Sequence, residues 1–273
     1  MALKTDVLVI GAGAAGLRAA IEAHRSGVDV LLVSKTPVGL GSCSTYAGGG
    51  FQASFGKLTP KAHFERTVKG GKFLNNQKLV EVMTREGAAR LLELREFGVD
   101  IETNDGTARV KRSFMMNGAG LTLPLAEFTR KSGVRILENV VVARLEKRGD
   151  TVIGAAGFNR LNGKAVSLQA KSVVLASGGA GRIYSRTDNP VGTTGEGYAM
   201  AYEAGARLID MEFVQFFPFG LVEPGLPMFL FNPGIVEIGR LVNTEGKEFL
   251  RDAGFSPGRD FIEHRDAMSK LIC

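Results

Sequence analysis

The start of the chain constrains its fold more than any other segment. Asp6 to Ile10 is an apolar run of strand length that breaks into Gly11-Ala12-Gly13-Ala14-Ala15-Gly16. From Ala14 to Arg25, Ala, Leu and Ile are spaced to bury one face of a helix. Gly27 stops that helix, and Val28 to Val33 repeats the buried-strand pattern. Strand, G-x-G-x-x-G, helix and strand form a βαβ unit suited to a dinucleotide. Gly11 permits the tight turn, Gly13 lets backbone approach a pyrophosphate, and Gly16 lets helix pack on strand. The free N–H groups and dipole of the helix start then favour phosphate. A helix that merely needs close packing is the competing reading.

The rest of the chain reads as an α/β arrangement. A glycine- and serine-rich loop covers 39–56, and helices are expected over 60–72 and 77–97, the second closed by Gly98. Residues 99–120 read as irregular or strand-like, and Leu121 to Lys131 as a helix. Val-rich stretches at 134–138, 140–147, 151–158 and 164–169 are separated by turns such as Arg148-Gly149-Asp150 and Asn162-Gly163. They predict a small antiparallel layer. Ser172 to Ala176 is another buried strand, and Gly195 to Ala204 a helix. From Phe213 onward the texture turns rich in Pro, Gly and Phe, which places a domain boundary near 218.

Composition excludes several classes. The net charge is +6, but Lys and Arg alternate with Asp and Glu, so no nucleic-acid surface is expected. Cys43 and Cys273 make no disulfide framework and no C-x-x-C site for a metal or iron–sulfur cluster. No apolar run approaches a membrane span, so direct membrane insertion is not expected. A reducing, cytoplasmic setting is expected, with membrane association only through a partner. His24 and His63 fall in helical stretches and read as structural or exposed.

Spacing alone leaves the dinucleotide open. An NAD site usually carries an acidic residue after the second strand, whereas Ser34-Lys35 stands here, and an unpaired lysine is odd for NAD. Four ordered stretches over residues 5–217 resemble the succinate dehydrogenase, fumarate reductase and L-aspartate oxidase flavoprotein family. They are the fingerprint with Ser34-Lys35, the loop Gly41-Ser42-Cys43-Ser44-Thr45-Tyr46-Ala47-Gly48-Gly49-Gly50, the run from Lys171 through Ala176-Ser177-Gly178 to Arg182, and Thr194-Gly195-Glu196-Gly197 continuing to Phe216.

The resemblance implies an α/β fold: a Rossmann-like FAD-binding domain over 1–218, with a parallel sheet, helices and an inserted antiparallel β layer. The start of a capping, substrate-binding domain would follow over 219–273. It implies noncovalent FAD, with Gly11 and Ala12 at the turn and phosphate contacts at Gly13, Ala14, Ala15 and Gly16. Ribose contacts fall near Ser34 and Lys35, with further contacts from Gly41, Ser42, Cys43, Ser44 and Thr45. Flavin-facing backbone falls at Gly48, Gly49 and Gly50, adenine contacts at Val140, Val141 and Val142, and others at Ala176, Ser177, Gly178 and Glu196. Glu196 stands where the family usually carries an aspartate. Cys43 stands where respiratory members carry the histidine bonded to FAD, so a cysteinyl–flavin link is the alternative to noncovalent binding.

The resemblance further implies hydride transfer between flavin and an organic acid, with Arg265 of Glu263-His264-Arg265-Asp266 exchanging the proton. The competing reading of Arg265 is a surface residue paired with Asp266 or Glu263, and His264 reads as a bystander. The family's His-Pro-Thr run reads Phe217-Pro218-Phe219 here, its Thr-Glu pair falls on Phe231-Asn232, and a nearby arginine falls close to Ile235. These apolar replacements argue against succinate or fumarate. An iron–sulfur or other redox partner subunit is implied. The early stop, against the length of the family's chains, suggests a fragment, a split product or a partner-completed chain, with apolar surface exposed around Phe213 to Phe231. Three readings compete: an FAD oxidoreductase, a catalytically incomplete or partner-dependent FAD-binding module, and a nicotinamide dehydrogenase favoured only by the generic fingerprint.

Overall fold

A computed structural model describes residues 2–111, 117–217, 219–221, 223–225, 229–230, 239–255 and 264–272. Two compact units divide the chain, one running to Tyr184 and including Asn189–Arg207, the other holding Ser185–Asp188 and residues from Leu208 onward. The division falls about ten residues before the boundary expected near 218.

The first unit is organised on a six-stranded sheet. Its strands are β1 (Leu3–Ile10), β2 (Val30–Val33), β6 (Arg135–Leu137), β7 (Val140–Arg148), β8 (Thr151–Asn159) and β9 (Ala165–Leu175), in the order β6-β2-β1-β9-β8-β7. The first four in that order are parallel. β9, β8 and β7 are antiparallel to one another. Two expectations need correction here. Residues 134–138 join the parallel edge beside β2 rather than the antiparallel layer. The stretches 164–169 and 172–176 are one strand, so the antiparallel layer grows out of the parallel sheet through β9. Lys171 does not break the strand because it pairs with Asp6 across β1 at 2.6 Å.

Alternation along the strands divides the core. Val9, Val30 and Leu32 face a cluster with Leu17, Ala20 and Ile21 of α1 (Ala14–Arg25). Leu8, Ile10, Leu31 and Val33 face the opposite cluster, with Val140, Val142, Ala155 and Leu168. Both faces are therefore covered, as a parallel sheet requires. Each fully buried Leu or Val contributes roughly 1.5–3 kcal/mol. Phe97 closes the first cluster, tilted against Phe128 at 4.9 Å and covered by Arg25 at 4.7 Å.

The loop expected over 39–56 contains two short elements, α2 (Cys43–Tyr46) and β3 (Gly50–Gln52). β3 pairs with β5 (Thr107–Val110), which pairs with β4 (Ile101–Asn104), all antiparallel. The helices expected after it are α3 (Pro60–Gly70) and α4 (Gln77–Glu93), with a 3₁₀ turn over Leu94–Phe97 ended by left-handed Gly98. α5 (Ala119–Lys131) and α6 (Glu196–Glu203) complete the unit. Among the described residues no helix is long and apolar enough to cross a membrane.

His63 of α3 is structural. It is buried, and its Nδ1 lies 3.3 Å from the Ser54 hydroxyl. Burial and the charge of Arg66 push its pKa below the ordinary value. The unfolded chain therefore takes up the proton first as pH falls, so stability from this site is complete above about pH 6.5 and declines below it. Thermal midpoints recorded from about pH 7.5 to about pH 5.5 should fall less steeply in His63→Gln than in wild type; equal slopes would remove His63 as the source.

The second unit has its own small core of Phe219, Leu250 and Met268, with Phe217, Leu241, Phe249 and Phe255 packed against it. Its regular elements include β10 (Gly220–Leu221) paired antiparallel with β11 (Phe229–Leu230), α7 (Phe249–Asp252) and α8 (Arg265–Ile272).

Candidate functional site

At the end of β1 the backbone is pinned from both sides. The Gly11 N–H donates to the Val33 carbonyl at 2.8 Å, and the Ala176 N–H donates to the Ile10 carbonyl at 2.8 Å. Gly11 takes φ 109°, and a Cβ there would stand 2.3 Å from the Ala176 oxygen. A Cβ on Gly16 would stand 1.8 Å from the Gly11 oxygen, so α1 can approach the strand only with glycine there. Gly13 differs, because its missing side chain would meet only the serines of the 41–44 loop, at 3.4 Å and beyond.

These constraints open a cleft of about 220 Å³ at the start of α1. It is lined by Gly11, Ala12, Gly13, Ala14 and Ala15, by Ser34, Lys35 and Thr36, by Leu40 to Ser44, by Ala176, Ser177 and Gly178, and by Gly192 and Thr193. Gly13 is the N-cap of α1, with no capping side chain and no acidic residue in the first turn. The Ala14 N–H donates to the Ser44 hydroxyl at 3.2 Å. An uncapped helix start facing a cleft is the natural seat of a phosphate. A Cβ on Gly178 would meet nothing within 4 Å, so the cleft is open beside this residue. The residues present thus fit a dinucleotide lying across the strand ends.

Lys35, which the sequence suggested was unpaired, is fully engaged. Its ammonium donates to the Gly192 carbonyl at 2.7 Å, the Thr194 hydroxyl at 3.3 Å and the Glu196 carboxylate at 2.5 Å. Partial burial pushes the Glu196 carboxyl up, but hydrogen bonds from Lys35 and Thr194 outweigh it and hold the group below the usual carboxylate range. Ser34 is buried, and its hydroxyl accepts from the Thr36 N–H at 3.3 Å.

The expected site residues separate into two groups. Fourteen line the cleft: Gly11 to Ala15, Ser34, Lys35, Gly41 to Ser44, and Ala176 to Gly178. The others stand outside its lining. Gly16 packs α1 on the strand. Thr45 is buried, bonded to the Gly39 carbonyl and close to the Ser42 and Thr122 hydroxyls, so it ties the loop to α5. Gly48 and Gly49 accept from Asn117 and Val110, and Gly50 begins β3. Val140 and Val142 point into the core, Val141 is half-buried between them, and Glu196 is held by Lys35. Thr36, Leu40, Gly192 and Thr193 were missed. Gly192-Thr193 directly precedes the Thr194-Gly195 stretch, the one signal that could have revealed them.

Cys43 is exposed at the cleft, with its sulfur 3.3 Å from Asn189 Oδ1 and 3.4 Å from the Thr193 hydroxyl. In the second unit, Arg265 lies half-buried at the start of α8, its guanidinium 5.4 Å from the Phe217 ring centroid. Its Nε is buried without a hydrogen-bond partner, and among the described residues it makes no ion pair with Asp266. Phe219 is buried in the small core of the second unit, with Phe217 packed against it. Phe213 and Phe216 are exposed, in line with the expected apolar surface. Pro218, Phe231, Asn232, Ile235, Glu263 and Cys273 lie outside the described residues.

Comparison with known proteins agrees with this geometry. The FAD binding domain family matches residues 6–272. A component of the fumarate reductase (CoM/CoB) of Methanothermobacter marburgensis is 34% identical, over 98% of this chain and 52% of the relative. L-aspartate oxidase of Nostoc sp. is 32% identical, over 98% of this chain and 48% of the relative. The structure of a mutant E. coli quinol fumarate reductase superposes with TM-score 0.84 at 29% identity, covering 99% of this chain and 50% of that one. The chain thus spans about half the length of the relatives it matches. It belongs to the FAD-binding domain family, alongside the flavoproteins of fumarate reductase, L-aspartate oxidase and succinate dehydrogenase.

Proposed function

We propose that this chain is the FAD-carrying part of an oxidoreductase that moves hydride between the flavin and an organic acid other than succinate. The start of α1, with no capping side chain of its own and facing a glycine- and serine-lined cleft, carries the reading. Gly13, Ala14 and Ala15 would hold the pyrophosphate, with Ser42 and Ser44 opposite and Ser34 and Lys35 at the ribose end. Gly41, Cys43, Ala176, Ser177 and Gly178 would flank the cofactor, and Gly16, Thr45 and Glu196 would fix the groups that touch it. Bound FAD supplies the two-electron chemistry.

The second unit supports the substrate half. Arg265 is a half-buried cation with an unfilled, buried Nε donor, which suits a carboxylate or a proton exchange. Phe217 offers an aromatic face in place of a hydrogen-bond donor, which disfavours a second carboxylate nearby. Electrons would pass to an iron–sulfur or other redox partner subunit.

The purified chain should be yellow, and acid precipitation should release the flavin to the supernatant. Flavin retained in the pellet would instead indicate attachment at Cys43. With an artificial electron donor or acceptor, a panel of organic acids should reveal turnover that Arg265→Lys lowers by roughly a hundredfold or more without loss of FAD. Yellow protein that turns over no acid would favour a binding module without its own catalysis. Protein that cannot be reconstituted with FAD would overturn the proposal.

A further inference from the structure

The turn between α3 and α4 carries a feature that dinucleotide binding leaves unused. Phe73, Leu74 and Leu79 are 69%, 66% and 67% exposed, and Val82 and Met83 extend the apolar stripe along α4 at helical spacing. Interleaved with them are Lys69, Lys72 and Lys78, all exposed and, among the described residues, without an ion pair. No residue from 66 to 80 is acidic. Lys72 and Phe73 take left-handed backbone, at φ 51° and 63°, although Gly71 beside them remains at φ −80°. Two successive bulky residues in that conformation are uncommon, and the Lys72 and Phe73 N–H groups hold the turn by donating to the Lys69 and Val68 carbonyls, each at 3.0 Å. The pair sits in the turn that presents Phe73 and Leu74 to solvent.

We propose that this turn docks on an anionic phospholipid surface, with Phe73, Leu74 and Leu79 entering the headgroup boundary and the three lysines meeting lipid phosphates. An apolar tip with a basic rim, its nearest acidic residues in sequence, Glu65 and Glu81, standing just outside the turn, is the chemistry of an interfacial anchor. A second copy of the same basic turn would repel it. None of these residues lines the dinucleotide cleft.

The test is cosedimentation of the FAD-loaded protein with vesicles of mixed phosphatidylglycerol and phosphatidylcholine, against phosphatidylcholine alone. Binding should be confined to the anionic vesicles. Each lysine should contribute about fivefold, so joint replacement of Lys69, Lys72 and Lys78 by Gln should lower binding on the order of a hundredfold. Phe73→Ser with Leu74→Ser should lower it at least about tenfold. Lys164→Gln removes the same charge from a distant exposed hairpin turn and should change little. Flavin absorbance and thermal midpoint, read on every variant, keep loss of fold apart from loss of docking. Failure to bind anionic vesicles overturns the proposal and points to an acidic protein as the partner. It is equally overturned if Phe73→Ser with Leu74→Ser binds like wild type, or if Lys164→Gln weakens binding as much as a lysine of the turn does.

Discussion

Gly13→Asp should lower FAD affinity more than a hundredfold, on the order of 3 kcal/mol, while the protein still folds. The backbone there is extended, at φ −73°, and a Cβ meets its nearest neighbour at 3.4 Å, an ordinary contact. The new carboxylate would cap α1, which stabilises the cofactor-free protein by roughly a few tenths of a kcal/mol, because glycine is itself a tolerated N-cap. The same carboxylate would occupy and repel the seat of the pyrophosphate. Gly16→Ala should do the reverse. Its methyl group would stand 1.8 Å from the Gly11 carbonyl oxygen, so the backbone has to part, at a loss of at least about 3 kcal/mol in stability. Melting curves with and without FAD, together with flavin titrations, separate the two effects. A Gly13→Asp protein that remains yellow after dialysis would remove the helix start from the binding site.

The second large effect concerns Lys35 and Glu196. Lys35→Met and Glu196→Gln should each weaken FAD binding roughly tenfold, about 1.4 kcal/mol, and the double variant should be no weaker than either alone. Such non-additivity follows if the carboxylate acts by holding the ammonium, which ties the end of β2 to Gly192 and Thr194. Additive losses would mean that Glu196 touches the cofactor itself. Glu196→Asp shortens the reach by one methylene, so it should behave like the Gln variant. Because the Glu196 pKa lies below its unfolded value, its contribution to stability is complete above the ordinary carboxylate range and is lost as acid protonates the folded protein.

Local signals made much of this molecule legible. The βαβ unit was readable because each of its parts is local: an apolar run, three glycines with distinct steric duties, and a helix face at 3.6-residue spacing. Pairing across long separations was not. Nothing within 134–138 indicates that β6 would join β2, nor does the run around Lys171 show that β9 is unbroken, since its charge is answered by Asp6 far away in sequence. The same limit governs the site. Fourteen lining residues were reached from the fingerprint and the family resemblance, but Thr36, Leu40, Gly192 and Thr193 arrive through folding of loops with no motif of their own. Conversely, Val140 and Val142 sit beside the strand ends yet face inward, because residue parity along β7 decides the direction. The Lys35–Glu196 pair joins residues 161 positions apart and was invisible to spacing.

The position of β9 bears on how the chain is made. β1 lies between β2 and β9, and its register runs from Leu3 against Leu168 to Ile10 against Leu175. A ribosome releasing this protein therefore holds an unfinished sheet until about residue 175 emerges, with one edge of β1 unprotected throughout. Closing so long a loop before any reward from pairing makes the sheet slow to complete. Synthesis halted before β9 would yield a sticky intermediate rather than a smaller domain, whereas a nick in the 160–164 turn of the finished protein would leave every strand pairing of the sheet in place.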